Sequence, residues 1–450
     1  MNIISENCRG TSARSVLLAL ALIMLGAPAA QARQALSFFK NYFVTGDYVA
    51  AGVGLRGKGV NGIATGTITI DPSQIPAGAE IVAAYLYWET LAPSSGPVPS
   101  TLAGARFQKN DISRSAVLLN QGGSPGCSAS GGDDHDDSED GGGNASSVYV
   151  YRSDVLPYFE RVTPSDPTKA VQVVVAGPHE VSLPDAGPGH RLPSTLGAGL
   201  VVVYRVAGYD ATTLPAYSSP KMPLKSIVIY DGGFTLSKAS PQLLLSMEGF
   251  YEASRGAPNA KLTQIVGNGV PGLSDTVQVT STLAAADNQR VATSPFVGGG
   301  GGGNPAGSTS TGIDVITFAL PLEPGAMKAG ISVTGDAKNN CGCLTFGASV
   351  LSTVVQDRDG DGLLDVWEKE SEWSSKPARL ASVYGSWPLT EPTGDALPDL
   401  QAMGADPDFQ DVFVQIDYMV GSDGHTHLPT KPALDAIAAA FHNEIGRAHV

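Results

Sequence analysis

Leu196-Gly-Ala-Gly-Leu-Val-Val-Val-Tyr204 carries no charge and has three consecutive valines. β-Branched side chains lose rotamer freedom in a helix and pack well on a pleated surface, so the run reads as a buried strand. A second run, Phe346-Gly-Ala-Ser-Val-Leu-Ser-Thr-Val354, has the same length and the same Gly-Ala pair at its second and third positions. Outward from these two, short apolar stretches recur between turn-forming clusters: Thr65–Ile70, Ile81–Trp88, Val148–Tyr151, Val171–Val175 and Ser226–Tyr230. That rhythm belongs to antiparallel sandwiches rather than to alternating strand and helix units. No helical periodicity of useful length interrupts it between residues 40 and 355.

Composition agrees. The 450 residues include 54 Gly and 31 Pro, which are costly inside helices, while 42% are apolar and only 16% charged. A disordered acidic chain needs the opposite balance. The formal net charge of −15 sets nucleic acid aside as a partner and favours cations.

The order of segments repeats. Val148–Val155 matches Ile313–Leu320, Val171–Gly177 matches Ala329–Gly335, and Leu196–Tyr204 matches Phe346–Val354, all in the same sequence order. Two tandem antiparallel β-sandwich domains of jelly-roll-like type are therefore expected, over residues 33–210 and 211–355. Glycine-rich inserts at 131–143 and 298–303 precede corresponding strands and read as loops at sandwich ends. The first holds six acids in eight positions, Asp133 to Asp140, without a defined ligand spacing, and reads as a solvated loop.

Arg9 and Arg14 precede the apolar run Val16–Leu25, and Ala30-Gln31-Ala32 fits a small-residue cleavage site. Residues 1–32 are read as a signal peptide, so the protein is expected to be secreted or held at the cell surface. Cys127, Cys341 and Cys343 then remain in an oxidising compartment. A bridge from Cys127 to either of the others is easier than a ring closed between Cys341 and Cys343, and three buried free thiols are the alternative.

One motif has a specific spacing. Asp357-Arg-Asp-Gly-Asp-Gly-Leu-Leu-Asp-Val-Trp-Glu368 places carboxylates at positions 1, 3, 5, 9 and 12: Asp357, Asp359, Asp361, Asp365 and Glu368. Gly362 stands where the loop turns, and Leu363 can offer its carbonyl from position 7. Calcium takes six to eight hard oxygens, and this is the spacing by which a twelve-residue loop supplies them. Calcium is therefore the expected cofactor. The preceding Ser349–Gln356 is strand-like, which sets a paired helix–loop–helix sensor aside.

Directly after a β-domain, this loop resembles the thrombospondin type 3 calcium repeats of secreted bacterial surface proteins. Cys343-Leu-Thr-Phe-Gly-Ala-Ser-Val-Leu351 is similar, more loosely, to repeated bacterial surface β-domains of uncharacterised role. The resemblance implies a calcium-binding repeat over 356–375.

Beyond it the composition shifts. Asp411-Val-Phe-Val-Gln-Ile-Asp-Tyr-Met419 reads as a strand, and Thr430 can cap a helix along which Leu434, Ile437 and Phe441 share one face. Residues 376–444 are thus expected to open a truncated α/β domain. Gly404–Pro432 resembles the lead-in to a metzincin-like zinc metalloprotease domain, but the zinc helix H-E-x-x-H is absent from the sequence. Asp423, His425 and His427 can ligate a metal or cap backbone groups, the second being the plainer reading. Glu444-Ile-Gly-Arg-Ala-His-Val450 is what a common sequencing-adapter string encodes, so 445–450 are expected to be read-through.

The reading that follows is an exported calcium-binding cell-surface or matrix protein with structural or adhesive sandwiches. Its partner would be a surface, polysaccharide or protein ligand, and no transmembrane helix is expected in the mature chain. The alternative is the non-catalytic front of a secreted zinc metalloprotease. No catalytic residue is identified.

Overall fold

The computed structural model describes residues 36–93, 104–120, 124–125, 146–163, 171–188, 191–206, 223–236, 241–269, 274–281, 289–298, 312–335, 344–368, 392–394, 397–413, 417–445 and 447–449. Residues 1–32, expected to be a signal peptide, the three cysteines, the acidic insert and most of the second glycine-rich insert lie outside the described residues.

The two runs that open the sequence reading are the central strands of two sheets. The first sandwich is built from β2 (Gly46–Gly54), β3 (Ile63–Ile70), β4 (Glu80–Pro93), β5 (Arg106–Phe107), β6 (Asn110–Asp111), β7 (Val117–Leu118), β8 (Ser124–Pro125), β9 (Ser146–Asp154), β12 (Gly177–Pro184) and β13 (Ser194–Arg205). A small hairpin, β10 (Arg161–Val162) with β11 (Gln172–Val173), stands apart. One sheet runs β2-β13-β4-β9-β7 with β8 beside β9, and the other β3-β12-β5-β6.

The second sandwich contains β14 (Lys225–Thr235), β15 (Gln242–Met247), β16 (Ala260–Gly267), β17 (Thr276–Ser281), β18 (Gln289–Thr293), β19 (Ile313–Leu320), β20 (Ala329–Thr334) and β21 (Thr345–Val354). Its sheets run β14-β21-β16-β19 and β15-β20-β17-β18. Strand for strand this is the order of the first, and it is the order of a jelly roll. The fold is mainly β, with two copies of one antiparallel sandwich.

Two of the three sequence matches fall on true counterparts, β9 with β19 and β13 with β21. The third does not. Ala329–Gly335 forms β20, whose counterpart is β12, whereas most of Val171–Gly177 precedes that strand and contains the small β11. Alternating β-branched residues look alike in neighbouring strands, which explains the slip of one element.

Each sandwich has its own core. Ala198, Leu200 and Val202 of β13 face Trp88-side neighbours of the first core, while Val201 and Val203 face away from it. The outward set does not meet water. It packs on Ile227, Ile229, Ile265, Val315, Ala348 and Val350 of the second sandwich. The two large sheets are therefore inner layers, buried on both faces, and all ten residues of β21 are buried. Gly199 permits the close approach: a Cβ there would fall 2.9 Å from Val315 and 3.1 Å from Ile265. Some polar groups cross the layer in pairs, while the side chains of Glu89, Ser226, Gln264, Ser349 and Ser352 are buried in these sheets without a hydrogen-bond partner. The Tyr48 hydroxyl meets Thr263 Oγ1 at 2.7 Å and donates to the Val350 carbonyl at 3.0 Å. Asp47 pairs with Lys225 at 2.6 Å and Lys261 at 3.1 Å, and Asp231 pairs with Arg152 and accepts from Tyr87.

The domain boundary expected at residue 33 moves. Strand β1 (Ser37–Val44) pairs with β14 and extends the inner sheet of the second sandwich. Only Thr45 separates it from β2, so the chain steps from one inner sheet directly to the other.

After β21 come α1 (Asp365–Glu368), β22 (Asp411–Phe413), α2 (Lys431–Ile445) and β23 (Arg447–His449). β23 lies parallel to β22. The expected strand at 411–419 is described as a strand only over Asp411–Phe413, and β23 falls within the segment read as adapter-derived.

One charge in the inner layer has a pH signature. Glu89 of β4 is fully buried against Gly267 and Gly347, and burial, with Asp314 adding to it, holds its carboxyl well above the ordinary range. The folded state thus keeps a proton that the unfolded chain releases near pH 4.3, so this contribution to stability is complete below that pH and is lost as pH rises towards the folded value. Glu89→Gln should abolish that slope. Denaturant midpoints at pH 5, 7 and 9 should fall for the wild type relative to the variant, by up to about 1.4 kcal/mol per pH unit within the window. Parallel profiles would show that Glu89 does not carry it.

Candidate metal centre

The loop 357–364 leaves β21 and turns on two residues with positive φ, Gly360 at +76° and Gly362 at +98°. Its aspartates fold the chain around themselves. Asp357 Oδ1 accepts the Gly360 N–H at 2.8 Å, Asp359 Oδ1 the Asp361 N–H at 3.2 Å, and Asp361 Oδ1 the Leu363 N–H at 2.7 Å. Successive turns of this kind bring alternate side chains to one side. Asp357, Asp359 and Asp361 each present an oxygen within 4.8 Å of the others.

α1 then carries Glu368 back towards the loop. Its residue is 1% exposed, and both carboxylate oxygens are buried without a hydrogen-bond partner. Burial, then the charges of Asp361, Asp359 and Asp411, pushes its pKa up to about 9. Asp359 is raised to about 6, by burial first and Asp361 next. A buried carboxylate among like charges is strongly unfavourable unless a cation or proton compensates. The donor set consists entirely of hard oxygens, which suits Ca²⁺, Mg²⁺ or Mn²⁺ and not a thiolate-loving metal. The residues present fit a hard divalent ion.

Two predicted ligands need comment. Asp365 is not in either oxygen triad. Its Oδ1 accepts the Arg358 N–H at 2.8 Å and its Oδ2 lies 3.4 Å from the Arg358 guanidinium, which holds the carboxylate at the loop's base. Leu363 contributes its N–H to Asp361, as described, which shapes the turn.

One acid was missed. Asp411, at the start of β22, is 4% exposed and forms a second triad with Asp361 and Glu368, again within 4.8 Å. Its N–H donates to Asp361 Oδ2 at 2.8 Å. Beside it, Gln410 Nε2 donates to the Asp359 carbonyl at 2.9 Å, and Asp408 pairs with Arg358 at 2.6 Å. The signal in the sequence is Asp406-Pro-Asp-Phe-Gln-Asp411, three acids on alternate and near-alternate positions, which reads simply as the approach to a strand.

The loop is anchored in the second sandwich. Leu364 and Val366 are buried in its core, and Trp367 packs edge-on against Phe43 at 4.9 Å and Tyr251 at 5.4 Å between ring centroids. It is therefore not a free-standing joint.

Asp423, His425 and His427 sit on an exposed turn. The two imidazoles meet at Nε2, 3.1 Å apart, and His425 Nδ1 pairs with Asp423. They form no triad of the kind seen in the loop. His179, of the sequence pair His179-Glu180, is a core group: its ring nitrogens engage Gln108 at 2.6 Å and the Val175 carbonyl at 2.6 Å.

No family model and no curated protein matches the chain. Among solved structures it is similar to the M60 catalytic domain with the CBM51-1 and CBM51-2 domains from Clostridium perfringens ZmpB, at 8% identity and a TM-score of 0.16. That alignment covers 68% of this chain and 34% of the other, so the chain spans about a third of that protein's length. A likeness at this level carries no argument about fold or function.

Glu368→Gln should act with opposite signs on the two states. Removing a carboxyl that must take up a proton on folding is expected to raise the neutral-pH melting temperature in chelator and to shrink the further rise on adding a divalent cation. Calorimetric scans with and without calcium check both, and a lower melting temperature in chelator would show that Glu368 is not a frustrated ligand.

Proposed function

We propose that this is an exported calcium-binding protein of the cell surface or matrix, in which Asp357, Asp359, Asp361, the Leu363 carbonyl, and Glu368 hold a calcium ion at the base of the second sandwich. The observation that carries the reading is the buried, unpartnered Glu368 carboxylate, aimed at acids whose turns already converge on one point. Asp365 supports the loop through Arg358.

The ion's role is mechanical. Without it the carboxylates repel each other, and with it the loop, its Trp367 anchor and the residues that follow take one fixed arrangement. The sandwiches then act as a rigid scaffold whose end loops present the contacts to a surface, polysaccharide or protein ligand. Among the described residues no helix is long and apolar enough to cross a membrane.

Extracellular calcium modules have Kd values of roughly 10⁻⁴–10⁻³ M. An ion that binds only the native state adds RT ln(1 + [Ca]/Kd), so millimolar calcium should stabilise this protein by about 1 kcal/mol. Because Leu364 and Val366 belong to the second core, chelation should loosen that sandwich as well as the segment after it. Calorimetric titration of the whole protein should show calcium binding that Asp361→Ala removes. Equal, negligible heats for the two proteins would sink the proposal.

A further inference from the structure

We propose that Asp411 is a direct ligand of the loop's cation, so that the ion ties the segment 399–413 to the second sandwich. The proposal rests on the calcium reading of the loop and extends it to a residue fifty positions beyond Asp361.

The first argument is the position of Asp365 relative to the other acids. In a twelve-residue calcium loop, position 9, here Asp365, often reaches the ion through a water. Arg358 holds that carboxylate by its backbone N–H and its guanidinium, and Asp365 is in neither triad. Calcium takes six to eight oxygens, and a carboxylate brought in from elsewhere in the chain can take a place that a water otherwise fills. Asp411 is the residue that the fold brings there, with an oxygen within 4.8 Å of ligand oxygens on both Asp361 and Glu368.

The second argument is Glu368 itself. It is 1% exposed with both oxygens unpartnered, and it faces Asp361 and Asp411 together. Three carboxylates at that spacing, two of them almost fully buried, need a compensating cation or proton, and one cation serves all three. Asp411 Oδ2 accepts the Asp406 N–H at 2.7 Å, which orients the carboxylate.

The third is that the surrounding contacts hold this segment against the loop. Gln410 reaches the Asp359 carbonyl, the Asp411 N–H reaches Asp361, and Asp408 takes the outer face of Arg358. These contacts set the position of Asp411, and the ion supplies the countercharge. Calcium binding and docking of 399–413 are then one event, and neither is complete without the other.

The test uses the full chain and terbium as a calcium probe, excited through Trp367, which directly precedes Glu368 in sequence, together with calorimetric calcium titration. Asp411→Ala should weaken calcium at least tenfold, and Asp411→Asn, which keeps the side chain's shape and its acceptor oxygen, should weaken it by a smaller but clear factor. Asp408→Ala removes a docking contact and no ligand, and should change the affinity less than threefold. Calcium should protect 399–413 from limited proteolysis in the wild type and fail to do so in Asp411→Ala. Wild-type affinity in both Asp411 variants, with the wild type itself binding calcium, would overturn the proposal and leave the loop site standing. Absence of binding by the wild type would overturn the loop reading, and this proposal with it.

Discussion

The layer between the two inner sheets constrains everything else in the molecule. A jelly roll ordinarily exposes one face of each sheet, and here the β13 sheet and the β21 sheet each give that face to the other. Strands without a wet side need apolar residues at consecutive positions, small ones where the sheets come closest, and partners for the polar groups that reach across. Val201, Val202 and Val203 meet the first demand, Gly199 the second, and the Tyr48–Thr263–Val350 and Asp47–Lys225–Lys261 groups the third. Two sandwiches that share such a layer behave as one body. The passage of β1 into the second sandwich reinforces this, since a single residue links strands in both inner sheets.

The metal centre depends on that body on one side and on the C-terminal segment on the other. Leu364 and Val366 are buried in the second core, which fixes where the loop begins and where Glu368 ends up. Burial of Glu368 is then an outcome of packing two residues earlier in the chain, and the charge it carries has to be compensated within the loop. A surface loop with the same acids would spread them into water at little cost. Here the spread is blocked by the core beneath and by residues 408–411 above. The same apolar contacts that stabilise the fold therefore create the demand for a compensating cation or proton.

Much of this was legible in sequence, and what was not has physical causes. Runs such as Leu196–Tyr204 announce strands because β-branching acts locally, and the carboxylate spacing of 357–368 announces a cation loop because the ligands are consecutive turns of one segment. The strand exchange of β1 was hidden because Ser37–Val44 is as strand-like for one partner sheet as for another. The double burial of the inner sheets was readable only in part: an uninterrupted apolar strand states that both faces are dry, without naming the covering layer. Asp365 and Asp411 mark the limits of a local pattern in opposite directions. The first fits the loop pattern but is taken by Arg358, and the second is brought in by tertiary folding from outside any local pattern.

A path of direct contacts runs from the acids to the start of the chain. Glu368 follows Trp367, Trp367 lies edge-on to Phe43, and Phe43 belongs to β1, which completes the inner sheet of the second sandwich. Side chains in contact within a close-packed core cannot move independently by more than a fraction of an ångström without opening a void or a clash. A change in α1 that relieves carboxylate repulsion therefore has to be accommodated at the aromatic cluster, where Tyr251 also packs on Phe43. The strand next in line is the edge of its sheet, held by one neighbour only, and an edge strand is the part of a sheet that yields most readily. The Glu368 side of the candidate metal centre and the β1 edge are thus linked through the rings of Trp367, Phe43 and Tyr251 as well as through the backbone.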